Sequence, residues 1–246
     1  MANGQYKAFA VHFSDLANQN AGIRIDRLFS VSSIKTTAGW GDSMDQIWRW
    51  DTTVNKWAKY GYQKPAFGGT AAWKKYDATK TGTAAFSTLT DTDVVLPGET
   101  FLYYRGNSET ATLTLSGAVK EFAAKPSYSI NNGNYQFVAY PWPVGFKLSE
   151  LGNIATFSSL KTTAGWGDSM DQIWRWDTTV NKWAKYGYQK PAFGGTAAWK
   201  KYDATKTGTA AFSALTDADA IGAEEGFLYY RGNSEPLTLT FKIAED

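Results

Sequence analysis

Few residues of this sequence have the types and spacing that catalysis requires. His12 is the single histidine, it lies outside the repeated segments described below, and cysteine is absent. A Ser–His–Asp or Cys–His arrangement in each repeat is therefore excluded. The remaining candidates are carboxylates: Asp42 and Asp45 in GDSMD, which recur as Asp168 and Asp171, could pair as the two acids of a glycosidase.

The same acids have a simpler interpretation. Asp42 and Asp45 stand beside Gly41 and Ser43, and acids in such a setting shape turns through hydrogen bonds to the local backbone. An enzyme also seldom needs two identical sites in one chain. We therefore predict a turn at GDSMD and a protein without catalytic residues.

Two further pairs of acids raise the question of a metal site. TDTD (Thr90–Asp93) and TDAD (Thr216–Asp219) each place two carboxylates in a polar loop. Calcium takes about six to eight oxygen ligands, so two acids fall short. Without cysteine there is no zinc–thiolate site or disulfide either. The prediction is loop acids, no metal and no cofactor.

Aromatic side chains carry the strongest functional signal. The sequence contains 11 Trp, 14 Tyr and 14 Phe, which is 16% of its residues. In QIWRWD, the alternation of a strand places Trp48 and Trp50 on one face with Gln46, and lysines surround the neighbouring rings. About half of the tryptophans are expected in the core, since small β domains use Trp as core filler. A strip of aromatic and polar side chains suits stacking on sugar rings or docking on a protein. The predicted binding residues are Trp48, Trp50, Trp57, Tyr60, Tyr62 and Trp73, with Trp174, Trp176, Trp183, Tyr186, Tyr188 and Trp199.

The elements that must position these residues are short strands. Gln46–Asp51 and Trp57–Gln63 alternate in polarity and flank the turn DTTVNK, which predicts a hairpin. ATLTLSGAV has the alternation of a half-buried strand. FSDLANQNAGIRI and FKLSELGNI can each hold one helical turn. The pattern predicts an all-β fold.

A long internal repeat organises the chain. Lys35–Ser87 recurs letter for letter as Lys161–Ser213, and Glu99–Gly117 resembles Glu225–Ile243. The period is too long for a solenoid. A segment rich in Ser, Asn, Gly and Pro separates the copies, as a linker would.

We therefore predict two tandem, pseudo-symmetric β-sandwich or β-barrel units, covering residues 1–125 with an N-terminal strand and residues 126–246. That N-terminal strand, Gln5–Phe13, has no counterpart at the spacing of the repeat. It is a candidate for pairing with the sheet edge of a neighbouring copy.

The motif order GD-x-x-DQIWRWD, WAKYGYQ, LPGETFLYYRGN and LTLSG, with YQFVAYPWPV opening the second unit, is similar to a family of uncharacterised secreted proteins from Verrucomicrobia, Lentisphaerae and related bacteria. The resemblance implies export and a non-catalytic β fold. Ile47–Tyr60 also resembles one blade of a kelch propeller, but two units cannot supply the roughly four to eight blades that a propeller needs.

Composition limits the partners. The net charge is +2 and the lysines are scattered, so bulk electrostatics predict no nucleic-acid partner. No apolar run is long enough for a transmembrane helix. The start, MANGQYKAF, lacks the features of a signal peptide, so the extracellular or cell-surface location follows from the resemblance alone.

Two functions of different class remain. The first is a non-enzymatic structural protein that associates with copies of itself in an extracellular surface layer or filament. The alternative is a bivalent, lectin-like carbohydrate-binding module that uses exposed Trp and Tyr platforms. Linked identical sites raise avidity without new contacts, so both functions are consistent with a duplicated segment.

Overall fold

The chain is almost entirely β-structure, with 43% strand and 8% helix, which confirms the predicted all-β class. The computed structural model describes residues 4–14, 22–31, 33–106, 110–115, 118–119, 125–192, 194–232 and 235–242. The chain divides into two compact units, Met1–Lys120 (unit 1) and Glu121–Asp246 (unit 2).

Unit 1 is built on a six-stranded antiparallel sheet with shorter pairs of strands. Its described strands are β1 (Tyr6–Ala10), β2 (Phe13–Ser14), β3 (Ile23–Arg24), β4 (Phe29–Val31), β5 (Gln46–Asp51), β6 (Lys56–Gln63), β7 (Ala72–Tyr76), β8 (Phe86–Thr88), β9 (Val94–Val95), β10 (Thr100–Tyr104), β11 (Leu113–Leu115) and β12 (Ala118–Val119). The large sheet has the order β1-β10-β5-β6-β7-β8, and β3–β9, β4–β11 and β2–β12 form the pairs. Ile25–Arg27 and Gly82–Ala85 are 3-10 helices.

Unit 2 has a six-stranded sheet of corresponding order. Its described strands are β13 (Ser127–Ile130), β14 (Tyr135–Ala139), β15 (Phe146–Lys147), β16 (Ala155–Phe157), β17 (Gln172–Asp177), β18 (Lys182–Gln189), β19 (Ala198–Tyr202), β20 (Phe212–Ser213), β21 (Ala220–Ile221), β22 (Gly226–Tyr230) and β23 (Leu237–Phe241). The large sheet runs β14-β22-β17-β18-β19-β20, and β13-β23-β16 and β15–β21 form smaller sheets. Its helical segments are the 3-10 helices Leu148–Glu150 and Gly208–Ala211 and the short helix α1 (Leu151–Ile154).

The helical turn predicted within FKLSELGNI is confirmed by α1 and the 3-10 helix before it. The turn predicted within FSDLANQNAGIRI falls mostly on residues 15–21, outside the described residues. The described end of that segment forms β3 and enters the 3-10 helix at Ile25.

In each unit the core lies on one face of the large sheet. In unit 1, Ile47 of β5 and Tyr103 of β10 are fully buried on this face, which packs against Ile25, Leu28 and Val95 from the smaller elements. Burial of each such side chain contributes roughly 1.5–3 kcal/mol. Because strand residues alternate between faces, the side chains that neighbour Ile47 along β5 lie on the opposite, outer face.

The predicted hairpin is confirmed as β5–β6 and β17–β18, with Trp50 opposite Trp57 in the first copy. Asp51 closes the turn by accepting a hydrogen bond from the Thr53 amide at 2.9 Å. Asn55 has a φ of 52°, a conformation that asparagine tolerates better than most residues.

The N-terminal strand pairs inside its own unit. β1 is antiparallel to β10, with Tyr6 opposite Tyr104, as Tyr135 of β14 is opposite Tyr230 of β22. The strand is thus engaged inside unit 1, which argues against its pairing with a neighbouring copy, and its counterpart in unit 2 lies three residues beyond the spacing of the repeat. The counterpart, YQFVA, does not lie at the spacing of the repeat because the segment between β1 and β3, residues 11–22, is longer than the segment between β14 and β15, residues 140–145.

Candidate functional site

The outer face of each large sheet is an aromatic surface. In unit 1, Trp48 and Trp50 of β5 lie on it half-buried, and both make edge-to-face contacts with Trp57 of β6, with ring centroids 5.9 and 5.1 Å apart. Tyr6 of β1 meets Trp48 in the same manner at 5.7 Å. Such contacts fix the ring orientations and add about 0.5–1.5 kcal/mol per pair beyond area burial.

Trp40 joins this surface from the loop before β5. Its ring stacks on Tyr76 of β7, with centroids 4.2 Å apart and planes 16° from parallel. The stacking requires Gly61 beneath it: a Cβ at that position would lie 2.9 Å from Met44 Sδ and 3.2 Å from the Trp40 ring. Unit 2 repeats this arrangement, with Trp166 stacked on Tyr202 at 4.2 Å.

A buried ion pair anchors the loop that carries Trp40. Asp45 is fully buried and its carboxylate accepts hydrogen bonds from Arg105 Nη1 at 2.6 Å, the Gly106 amide at 2.7 Å and the Lys35 amide at 2.9 Å. Arg105 is also fully buried and donates to the Ser33 carbonyl at 2.6 Å.

Unit 2 contains the same ion pair between Asp171 and Arg231, at 2.7 Å. The carboxylates of Asp45 and Asp171 are thus enclosed and satisfied inside the fold, whereas Asp42 and Asp168 are exposed. The sequence predicted that Asp45 shapes a local turn. In the structure it also connects the loop before β5 to Arg105 and Gly106, which follow β10.

A groove opens beside the aromatic surface in each unit. In unit 1 it has a volume of about 410 Å³, and in unit 2 about 360 Å³. The positions that line both grooves are Trp57, Ala58, Lys59, Lys75, Tyr76, Asp77, Ala78, Lys80, Ala84, Ala85 and Ser87, repeated as Trp183, Ala184, Lys185, Lys201, Tyr202, Asp203, Ala204, Lys206, Ala210, Ala211 and Ser213. All of them belong to the segment that is repeated without a difference.

Lysines and acids supply the polar groups of the groove. The Lys59 ammonium lies over the Trp48 ring, 4.0 Å from its centroid, a cation–π contact that covers this ring face. Partial burial lowers the pKa of Lys59. Asp77 accepts hydrogen bonds from the Thr79 amide and hydroxyl, at 3.0 and 2.6 Å, and pairs with Lys80 at 3.3 Å.

The acids of TDTD also have a structural role. Asp93 is buried and accepts hydrogen bonds from Thr90, the Tyr60 hydroxyl at 3.1 Å and Lys75 Nζ at 3.0 Å. Burial opposes its charged form, but the hydrogen bonds from Thr90 and Lys75 outweigh it and hold the pKa of Asp93 below its ordinary 3.8. Asp219 has the equivalent contacts in unit 2. Among the described residues, no group of three or more His, Cys, Asp or Glu side chains is placed to hold a metal ion.

The structure separates the twelve predicted binding residues into two sets. Those on the outer face are Trp48, Trp50, Trp57, Trp174, Trp176 and Trp183. Those that belong to the core face are Tyr60, Tyr62, Trp73, Tyr186, Tyr188 and Trp199. For Tyr60, Trp73 and Tyr186 this is a correction, because they are 1%, 6% and 0% exposed and cannot meet a ligand at the surface. Tyr62, Tyr188 and Trp199 are partly buried on the same face. Of the outer set, Trp57 and Trp183 line the grooves.

Sequence reasoning missed Trp40 and Tyr76 as partners in this surface. The alternation in AAWKKYD places Trp73 and Tyr76 on opposite faces of the strand. It could therefore have indicated that Tyr76 lies on the face opposite to Trp73. The stacking of Trp40 on Tyr76 joins a loop to a distant strand, and nothing in the local sequence indicates it.

No protein-family model, curated protein or solved structure matches this chain. Within the described part of the chain, no helix has the length and apolar character needed to cross a membrane.

Proposed function

We propose that the protein is a non-enzymatic, bivalent carbohydrate-binding protein that holds one segment of polysaccharide in the groove of each unit. The observation that supports this most is that the two grooves share eleven lining positions, which are occupied by identical residues. A protein that presents the same groove twice gains avidity for a repeating ligand, and a polysaccharide is a repeating ligand.

The lining of the groove suits a sugar. Trp57 offers aromatic surface for the apolar face of a pyranose ring, whereas the Tyr76 ring is stacked on Trp40. Aromatic side chains with a polar rim are common at such sites. Asp51, Asp77 and Lys80 at the margin offer carboxylate acceptors and an ammonium donor for hydroxyl groups. Stacking is assigned to Trp57 in preference to Trp48, since Lys59 covers a face of the Trp48 ring.

The groove lacks the arrangement that hydrolysis requires. Its carboxylates at Asp51 and Asp77 are both engaged by turn amides, and Asp45, which does not line the groove, is enclosed with Arg105. We therefore propose binding without cleavage, at an extracellular location.

Self-association in a surface layer or filament is the second candidate. It is favoured by one observation: the outer aromatic surface is present in both units, with Trp57 and Trp183 partly exposed, and such a surface suits docking on another protein surface. The expected donor, the N-terminal strand, is engaged inside unit 1.

The experiment is a glycan array followed by pull-down on insoluble cellulose, chitin and xylan, with the wild-type chain and the double variant Trp57→Ala/Trp183→Ala. We expect binding to at least one polysaccharide by the wild type and its loss in the double variant. Phe67→Ala is the matched control, because Phe67 is fully exposed and lies outside the groove lining.

Near-ultraviolet circular dichroism must show that the double variant stays folded. Retention of binding by a folded double variant would refute the assignment to the grooves. Absence of binding to every glycan, together with polymers on size-exclusion chromatography, would favour self-association.

A further inference from the structure

One lysine of the unit 1 groove differs from the others in its partners. Lys75 and Lys80 are each paired with an aspartate, at 3.0 and 3.3 Å. Lys59 makes no ion pair with any described residue, and its ammonium is held over the Trp48 ring, 4.0 Å from the centroid. Burial lowers the pKa of Lys59, and no acid of the described chain raises it. The groove therefore contains a partly buried positive charge that the protein does not balance.

Unit 2 has the same lysine at the same place. Lys185 lies over the Trp174 ring, 4.1 Å from its centroid, and pairs with no acid among the described residues. The other two lysines of that groove, Lys201 and Lys206, are paired with aspartates at 2.9 and 3.2 Å. The unbalanced lysine is therefore a feature that both grooves share.

The grooves are also where the positive charge of the chain is concentrated. The lining positions common to both grooves comprise three lysines and one aspartate, which is a formal charge of +2 for each groove. The two grooves together therefore carry +4, whereas the whole chain carries +2, so the rest of the chain is negative. Clefts lined by one sign of charge attract ligands of the opposite sign.

We propose that each groove binds an acidic sugar, whose carboxylate or sulfate group accepts a hydrogen bond from Lys59 in unit 1 and from Lys185 in unit 2. This inference rests on the proposed carbohydrate binding and names the class of sugar. Trp57 and Lys59 lie two residues apart on β6 and therefore on the same face, with about 7 Å between their Cα atoms. A sugar ring stacked on Trp57 can bring its anionic group to the ammonium. The ligand then supplies the counter-charge that the groove lacks, through a charge-assisted hydrogen bond.

The test compares acidic oligosaccharides with neutral forms of the same sugars. The probes are hexagalacturonate and its full methyl ester, and a sulfated carrageenan hexasaccharide and its desulfated form, each titrated calorimetrically into the full-length chain. We expect at least one acidic probe to bind about tenfold more tightly than its neutral form, the effect of one charge-assisted hydrogen bond at a partly exposed site. The first pair reports on a carboxylate and the second on a sulfate.

Variants at the unbalanced lysine show whether it carries the preference. Lys59→Gln/Lys185→Gln should reduce the ratio of acidic to neutral affinity from about tenfold to about one, and Lys59→Arg/Lys185→Arg should keep most of it. The matched control is Lys64→Gln/Lys190→Gln, which removes the same charge outside both groove linings and should keep the ratio. Damage to the fold would weaken both probes alike, so the ratio distinguishes a lost charge from a lost structure.

The outcomes separate this inference from the function on which it rests. Equal binding of the acidic and neutral probes, or a preference that survives in Lys59→Gln/Lys185→Gln, would overturn the inference and leave carbohydrate binding in place. Equally tight binding of a single-stranded DNA hexamer would also overturn it, because the groove would then be an unspecific polyanion site. Failure to bind any glycan, acidic or neutral, would overturn the proposed function and this inference together.

Discussion

Replacement of Asp45 by asparagine is expected to destabilise unit 1 strongly. Two donors, Arg105 Nη1 and the Lys35 amide, converge on one oxygen of Asp45, and the Gly106 amide binds the other. Asparagine keeps one acceptor oxygen and turns an NH₂ group toward the remaining donors. The buried Arg105 guanidinium then has no counter-charge from this position.

The magnitude follows from these contacts. Each hydrogen bond to a charged group contributes about 1.5–3 kcal/mol, and breaking a buried ion pair by removing one partner costs about 3–5 kcal/mol. We therefore expect Asp45→Asn to lower the free energy of unfolding of unit 1 by about 4 kcal/mol. With a urea dependence of about 2 kcal/mol per molar, the midpoint of unit 1 falls by about 2 M.

The assay is urea unfolding followed by tryptophan fluorescence, with hydrogen exchange read on peptides that differ between the units, such as 88–99 and 214–225. Asp45→Asn should shift the exchange of the first peptide alone, and Asp171→Asn that of the second. Replacing both partners, as in Asp45→Asn/Arg105→Met, should recover part of the loss, since no buried charge remains unpaired. A midpoint within about 0.3 M of wild type in the single variant would refute the reasoning, since surface changes have effects of that size.

Other predictions concern pH and the packing of Trp40. The pKa of Asp93 is held below its ordinary 3.8 in the folded state. The ionised carboxylate therefore stabilises the fold above about pH 3.8, and this stabilisation is lost as the pH falls through the lower pKa of the folded state. Thermal unfolding between pH 5 and 2 should therefore show a weaker acid dependence in Asp93→Asn, while Asp91→Asn, whose side chain is 99% exposed, should follow the wild type. Gly61→Ala should cost about 1–3 kcal/mol by overpacking against Met44 and Trp40 and should change the near-ultraviolet circular dichroism of the tryptophans. Gly39→Ala is its control, since a Cβ there meets no atom within 4 Å, and equal effects of the two changes would contradict the packing argument.

The sequence was sufficient to predict the hairpin β5–β6 and to place Trp48 and Trp50 together on one face of β5. The alternation in QIWRWD places Trp48 and Trp50 opposite Ile47, and Ile47 is in the core. The same rule places Ala58, Tyr60 and Tyr62 together on one face of the next strand, but it does not tell which face is buried. The neighbouring strands decide that, because Ile47 is opposite Tyr60.

Contacts between residues far apart in the sequence could not be predicted. The pairing of Asp45 with Arg105 and the stacking of Trp40 on Tyr76 depend on how the loop before β5 folds over the sheet. Gly61 permits this arrangement because it has no side chain to clash with Met44 and Trp40. That role cannot be predicted from the sequence, because it depends on where Met44 and Trp40 lie in the folded chain.

The most direct test of the central claim is the number of carbohydrate sites on one chain. Isothermal titration with the hexasaccharide that binds best on the array should give two sites for the wild type, one for Trp57→Ala, one for Trp183→Ala and none for the double variant. On the insoluble polysaccharide, each single variant should bind about a hundredfold more weakly than the wild type, because avidity is lost. A single site in the wild-type chain, or undiminished binding by the folded double variant, would contradict the proposal of two equivalent grooves.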